Sequence, residues 1–527
     1  MAKAFSLISL LFLSLLVLSQ SLPLSTRGRW IVDSKTGQRV KLSCVNLVSH
    51  AQSMVAQGLD KRPLKDLANE IVSRDYNCVR LTWSVYMFTR HPFETIGDVL
   101  DGLDINKVKN GVKKHNPQIL NMTVTSAFKT VVDGLGNAGL MVIMDNHISQ
   151  PRWCCSLHDG NGFFGDRNFK PIEWLRGLAF VARHFSWHPK VVGMSLRNEL
   201  RGSNNVDVWR KYVKQGSHLI HRINPRLLVV ISGLNYDNDL SYLKKKPLGY
   251  NLHNKVVLEA HLYSFSGEPE SKFVKKPLNI ACNQVMDKFE REAGFVVDMK
   301  NPYPLFLSEF GYDLRGVNKA QNRFMSCFLA RIIGKDIEWA YWAFQGSYMY
   351  RQGQQDVDES FGIMDSTWTK DRSPRLQQML KLAKRINQDP NSKAPLSYIM
   401  LHPVSGQCVQ LDGKGGIELG DCEKPTLWDH TGDGSPMKLS NGQCLKSAGD
   451  GKPPVVSAEC SGDGSSWTVA SKAKLQLATK SGGEKICLEK ESDTSIVVKK
   501  CICLKDEWNC FDDPQPQWFK LVPTNVA

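Results

Sequence analysis

Val191, Val192, Gly193, Met194, Ser195 and Leu196 make an apolar, β-prone run that stops abruptly at Arg197, Asn198 and Glu199. This reads as a buried strand that ends with an amide and a carboxyl side chain side by side. A second apolar strand, Phe306, Leu307 and Ser308, runs into Glu309, Phe310 and Gly311 in the same manner. Two carboxyl groups facing each other across one pocket are the minimum equipment for cleaving a glycosidic bond. Each stretch alone is weak evidence, because Asn followed by Glu recurs by chance and a strand-terminal Glu is commonly a solvated surface group. The rest of the chain has to supply the case.

Outward from residue 191, short apolar runs alternate with helix-like segments. Strands are predicted over residues 41–48, 77–83, 141–145, 191–196, 227–232, 255–260, 304–307 and 337–343. Helical periodicity covers 63–74, the start of 123–140, 173–184, 208–223, 283–295 and 319–332. Strands separated mostly by helices imply a parallel sheet, and eight of them over about 350 residues suit a (β/α)8 barrel with enlarged loops. An open doubly wound sheet is the alternative, but no glycine-rich dinucleotide fingerprint follows the first strand. A barrel keeps its chemistry at the C-terminal ends of the strands. Those ends carry Arg80 on the second strand, His147 after the third, Asn198 and Glu199 after the fourth, His261 and Tyr263 after the sixth, Glu309 on the seventh and Trp342 on the eighth. Singly, Arg80 could pair with a barrel Asp, the histidines could be satisfied core groups and Trp342 could fill space; their joint order is harder to dismiss.

Over roughly residues 28 to 390, this order of residue types resembles glycoside hydrolase family 5, the cellulase and mannanase family of the retaining (β/α)8 clan. The chain looks most like secreted plant members that carry a trailing lectin-like domain. The resemblance implies that Glu309 is the nucleophile and Glu199 the acid/base. It also implies that Asn198 meets the sugar 2-hydroxyl, Tyr263 bonds Glu309, His147 and His261 hold hydroxyls, and Trp342 offers a flat face to a sugar ring. On physical grounds Arg80 beside Glu309 favours its charge, and an anionic neighbour raises the pKa of Glu199. The loop after the third strand (Trp153, Cys154, Cys155, and Asp159 to Asp166) and the one after the eighth (Tyr348, Tyr350, Arg351) are candidate walls. No cofactor is implied, and no metal, because the two histidines lie on separate strands without a paired ligand. A transglycosylase would use the same residues, and a non-catalytic carbohydrate receptor is the alternative from another class.

Asp389, Pro390, Asn391, Ser392 and Lys393 read as a short linker, after which helical periodicity vanishes. Cys408 to Cys422 with Trp428, Cys444 to Cys460 with Trp467, and Cys487 to Cys501 with Trp518 recur about every 40 residues. This pattern resembles the ricin B-type lectin, an all-β trefoil, over residues 397 to 527. That likeness implies a bridge inside each repeat, with Cys503 and Cys510 as an extra clip. Lectins of this kind carry an Asp after the first cysteine and a Gln before the Trp; Gln410, Lys446, Glu489 and Thr426, Ser465, Pro516 stand there instead.

Met1, Ala2 and Lys3 precede an apolar run from Phe5 to Leu18, and Ser19 to Ser21 offer small residues to a signal peptidase, so residues 1–21 read as a signal peptide. Fourteen cysteines suit the secreted, extracellular setting this implies, an apoplast or cell wall if the source is a plant. Cys154 and Cys155, being adjacent, bond either to different partners or to each other. The net charge of +15 is spread along the chain rather than clustered with aromatics. That argues against nucleic acid and makes adhesion to acidic cell-wall polysaccharide an expectation. No stretch after the signal peptide is long and apolar enough to span a membrane, and the expected partner at the site is a β-linked polysaccharide or oligosaccharide. Asn121, Met122 and Thr123 form an N-glycosylation acceptor.

Overall fold

A computed structural model describes residues 23–526 apart from 268, 413 and 414, so the expected signal segment lies outside the described residues. Eight parallel strands close into a barrel: β1 (Ser43–Leu47), β2 (Cys78–Ser84), β3 (Met141–Ile148), β4 (Val191–Ser195), β5 (Leu228–Ile231), β6 (Val256–His261), β7 (Leu305–Phe310) and β8 (Glu338–Tyr341). Every strand expected from the sequence is present. All of their residues are buried, which is why they read as continuous apolar runs instead of alternating ones.

The inward faces change character along the barrel axis. Near the strand starts, Cys44, Cys78, Ile143, Val230, Val257, Phe306 and Ala340 pack in one apolar cluster, closed by Leu24 and Ile31 of an N-terminal hairpin. Two residues further along seven of the strands, and therefore on the same face, stand Asn46, Arg80, Asp145, Ser232, Glu259, Ser308 and Trp342. The lower half of the barrel holds the fold together, and the upper half is polar.

Helices wrap the outside. The helix Val206–Ile223 begins with Asn205 accepting from Val208 N at 3.0 Å and buries Trp209, Val213, Gly216 and Ile220 on one face. Gly216 is required there, since a Cβ would stand 2.6 Å from the Trp174 ring. β5 is followed by a three-residue turn, Ser241–Leu243, in place of a full helix. Three helical segments between β2 and β3, Val85–Thr89, Ile96–Gly102 and Asn106–His115, were not predicted from the sequence.

From Ser397 onward the chain is all β among the described residues, apart from a short turn at Gln515–Gln517. Trp428, Trp467 and Trp518 are each fully buried. The expected bridges Cys408–Cys422, Cys487–Cys501 and Cys503–Cys510 are present. The middle pair departs from expectation, with Cys444 and Cys460 as free thiols. The bridged pairs of the first and third repeats are 14 residues apart in sequence; this pair has two residues more, and each thiol donates instead to backbone carbonyls, of Ser457 and Glu459 or of Gly442. The predicted linker is tied down at several points: Asp389 N donates to Asn525 Oδ1 at 2.8 Å and Asn391 Nδ2 to Gly37 O at 2.8 Å. Across the seam, Trp518 Nε1 donates to Asn279 Oδ1 at 3.0 Å, so a buried polar pair docks the β unit onto the barrel.

Candidate active site

A cavity of about 720 Å³ opens at the C-terminal ends of the strands, and His147, Glu199, His261, Tyr263, Glu309 and Trp342 all line it. Arg80 and Asn198 lie in its floor, fully buried. Arg80 organises that floor. Its Nη1 donates to Glu309 Oε1 at 2.8 Å and to Asn46 Oδ1 at 3.0 Å, and its Nη2 donates to Asn198 Oδ1 at 2.8 Å. Asp145 Oδ1 stands 3.0 Å from the same guanidinium and Glu259 Oε2 at 3.8 Å. One cation therefore faces three buried carboxyl groups, and burial pushes the pKa values of Asp145 and Glu259 up against the pull of Arg80.

Glu309 receives two donors, Arg80 on one oxygen and the Tyr263 hydroxyl on the other at 3.1 Å. Glu199 is held chiefly by its backbone. Its φ of 45° lies in the left-handed region, and the N–H donates to Asp237 Oδ2 at 2.9 Å while Arg201 Nη1 donates to its carbonyl at 2.8 Å. That grip turns the chain sharply as it leaves β4 and aims the side chain inward, where His261 Nδ1 lies 3.1 Å from Oε1. An oxygen of Glu199, an oxygen of Glu309 and a ring nitrogen of His261 all lie within 4.8 Å of one another.

Burial pushes both carboxyls up, Glu199 to about 7 and Glu309 to about 7. For Glu309, His261 and Arg80 pull the value back while Glu199 and Asp145 push it further. For Glu199, loss of water is the leading cause, with Asp145 and Asp159 adding to it. The sequence points to an anionic neighbour as a cause of the raised Glu199 value; burial leads, with the anionic Asp145 and Asp159 adding to it, and Arg80 offsets the burial of Glu309 without overcoming it. Burial also holds His147 and His261 below the ordinary histidine value.

His147 Nδ1 bonds Asp145 Oδ2 at 2.6 Å, and its ring stacks between His50 and Trp342 with centroids 3.9 and 5.5 Å away. Trp342 thus stands as the outer plate of a three-ring stack, with one face toward the cavity. Of the candidate walls, Trp153, Cys154, Cys155, Tyr348 and Arg351 line the cavity. Tyr350 packs against the apolar core instead. Asp159 and Asp166 lie behind the wall, on Arg201 and on the N–H groups of Gly162 and Phe163. Cys154 and Cys155 are bonded to each other, which settles an open alternative. The sequence reading missed Asn46, Glu259, Ser308 and Asp237. The first three sit two residues beyond apolar inward positions, a signal available once the inward face is known; Asp237, in an irregular loop, leaves no such trace.

Residues 34–347 match the model of the cellulase family, glycosyl hydrolase family 5. A glycosyl hydrolase 5 family protein from Chamaecyparis obtusa is 39% identical, with 98% of this chain and 96% of that one covered. An endoglucanase from Paenibacillus polymyxa is 18% identical over 68% of this chain and 87% of its own length. Among solved structures, an endocellulase from the archaeon Pyrococcus horikoshii superposes with a TM-score of 0.58 at 17% identity, covering 69% of this chain and 99% of that one. At that identity the likeness speaks for the fold alone, while the family match speaks for residues 34–347 and the full-length relative for the chain as a whole. The chain belongs to the cellulase family, glycosyl hydrolase family 5, and is a glycosyl hydrolase.

Proposed function

We propose that the protein is a secreted retaining β-glycosidase acting on a β-linked glucan, with Glu309 as nucleophile and Glu199 as acid/base. The observation that carries this is the separation of the two carboxyls, with oxygens within 4.8 Å. Direct attack on the sugar needs carboxyls roughly 5 Å apart, whereas an inverting enzyme leaves room for a water between groups roughly 6.5–9.5 Å apart. Endoglucanase relatives from Paenibacillus and Xanthomonas, and a cellotetraose complex of the archaeal endocellulase, support a β-1,4-glucan over a mannan. Six disulfides among the described residues support an oxidising compartment. No helix among the described residues is long and apolar enough to cross a membrane. The catalytic unit is assigned to residues 28–390 and a trefoil to 397–527, where the departures from the lectin Asp and Gln positions favour a buttressing role over glycan binding.

The roles follow from the donors. With both carboxyls near 7, the pair shares about one proton at neutral pH, and it titrates as a unit. Two donors favour the anionic form of Glu309, so the proton rests on Glu199. Glu199 gives that proton to the glycosidic oxygen as the bond to C1 breaks and a Glu309 oxygen bonds C1. In the second half Glu199, now ionised, takes a proton from water, whose oxygen displaces Glu309. Asn198 Oδ1 is occupied by Arg80, which leaves Nδ2 beside His147, Cys154 and Cys155 of the cavity wall as the donor for a sugar 2-hydroxyl. Trp342 carries the ring.

Product configuration tests the scheme. Proton NMR in the first minutes of cello-oligosaccharide hydrolysis is expected to show the β-anomer; initial release of the α-anomer would sink it. The pH profile is a second check. kcat/KM is expected to fall about tenfold per unit above pH ~7 as Glu199 loses its proton. In Glu199→Gln that alkaline limb should vanish for an aryl glycoside whose leaving group needs no protonation, and its persistence there would assign the limb elsewhere.

A further inference from the structure

Beside Asn198 the cavity wall is made of sulfur. Asn198 Nδ2 lies 3.6 Å from Cys155 Sγ and 3.9 Å from Cys154 Sγ, and a ring nitrogen of His147 and both sulfurs lie within 4.8 Å of one another. Both cysteines are half-buried and line the same cavity as Glu199 and Glu309. Asn198 Nδ2 also lies 3.5 Å from His147 Nε2. An amide nitrogen carries two hydrogens and a bonded sulfur is a weak acceptor, so the hydrogen that faces the sulfurs has no strong acceptor. An oxygen of a ligand is the better one.

The segment that carries the bridge is pinned at both ends. Upstream, Ser149 N and Gln150 N donate to Asn161 Oδ1, and Arg197 Nη1 donates to Ser149 Oγ at 3.0 Å. Downstream, Arg201 Nε donates to Ser156 O at 2.9 Å and Arg201 Nη2 to Asp159 Oδ2 at 2.6 Å. Arg197 and Arg201 flank Asn198 and Glu199 in the chain, so the residues that fix the sulfur wall are neighbours of the residues that face it. Joining adjacent cysteines also closes a small covalent ring in which neither sulfur can rotate away. Two unbonded thiols would need roughly 3.5 Å between their sulfurs in place of about 2 Å, and one would have to move into the cavity or onto Asn198.

We propose that the Cys154–Cys155 disulfide is the specificity wall for the C2 substituent of the sugar held by Asn198, admitting a hydroxyl and excluding an acetamido group. The proposal rests on the reading of Asn198 as the sugar-binding amide and goes beyond it. An oxygen accepting from Nδ2 at about 2.9 Å shares that amide's surroundings with both sulfurs. A 2-hydroxyl is a bare oxygen and packs against sulfur; an acetyl group on the same position meets a wall that cannot yield.

The test is calorimetric titration of Glu199→Gln protein with cellotriose and with triacetylchitotriose. Cellotriose is expected to bind at least about 50-fold more tightly, a penalty of the size that overpacking a rigid site imposes. Adding Cys154→Ala and Cys155→Ala is expected to bring the two sugars within about fivefold of each other, with chitotriose gaining, and Cys154→Ser with Cys155→Ser to narrow the gap in the same direction. Unchanged discrimination in a variant that unfolds at the parent's temperature would overturn the proposal, as would failure of cellotriose to bind. A second measurement needs no substitution. In the Glu199→Gln protein, saturating cellotriose is expected to slow phosphine reduction and alkylation of Cys154 and Cys155 about tenfold or more, with Cys503 and Cys510 unaffected as an internal reference. An unchanged rate would show that the sugar does not cover the wall. Binding and protection without turnover by the unsubstituted enzyme would sink the hydrolase reading and leave this one standing.

Discussion

Glu309→Gln is expected to lower kcat by about 10⁴-fold or more while cello-oligosaccharide affinity stays within a few fold. The substitution keeps the shape of the side chain. The amide oxygen it introduces can still accept from Arg80 Nη1, which stands 2.8 Å from Glu309 Oε1, and Arg80 keeps Asp145 and Glu259 as counter-charges. What disappears is the oxygen able to form an ester with C1, and no neighbouring group replaces it. Asp145 is occupied by Arg80 and His147, and Glu259 by Ser195. A chemical readout separates loss of the nucleophile from general damage. In Glu309→Ala, added azide should occupy the vacated space and yield a glycosyl azide of inverted configuration, whereas in Glu199→Ala azide should react with the intermediate and yield the retained one. Turnover by Glu309→Gln within tenfold of the parent would remove Glu309 from the mechanism.

How much of this was legible beforehand depends on the half of the barrel. The strands could be read because all of their residues are buried and the lower inward positions, such as Ile143, Val257 and Phe306, are apolar. Long continuous runs survive in one dimension. In the upper half, the residues facing the cavity, Arg80, His147, His261 and Glu309, stand out as polar interruptions of those runs, so they too could be read. The residues that hold them could not. Asp237 supports Glu199 from a loop 38 residues away, and nothing local marks a loop acid as a support for a strained backbone. The direction of the Asn198 amide is likewise a fact of three dimensions, set by Arg80 from 118 residues away. The sequence also favoured a charge-based account of Glu199, because neighbouring acids can be seen in a sequence and the depth of a cavity cannot.

Arg80→Met is expected to damage stability as well as activity, because it changes the protonation of all the acids around it. Arg80 is fully buried, and Asp145, Glu309 and Glu259 together push its pKa above the ordinary arginine value despite burial, so it is charged at every working pH. Methionine fills much of the volume and removes the cation. Removing one partner of a buried ion pair costs about 3–5 kcal/mol, since the remaining charge is left without compensation. Here the carboxyls answer by keeping protons. Their folded-state pKa values, already raised at Asp145, Glu259 and Glu309, move further up. A carboxyl whose folded pKa is raised binds more protons folded than unfolded, so stability falls as pH rises from about 4.5 through the folded pKa. The variant's deficit in unfolding temperature should accordingly be small near pH 4.5 and grow toward pH 8. Glu309 should be protonated at neutral pH, which moves the acid limb of kcat/KM upward and lowers neutral activity by about 10³-fold or more. Arg80→Lys restores a charge but not the fork that reaches Glu309 and Asn198 together, so it should recover much of the stability at pH 8 and little of the activity. A deficit independent of pH, with the acid limb unmoved, would mean that Arg80 only fills space and that some other group sets the charge on Glu309.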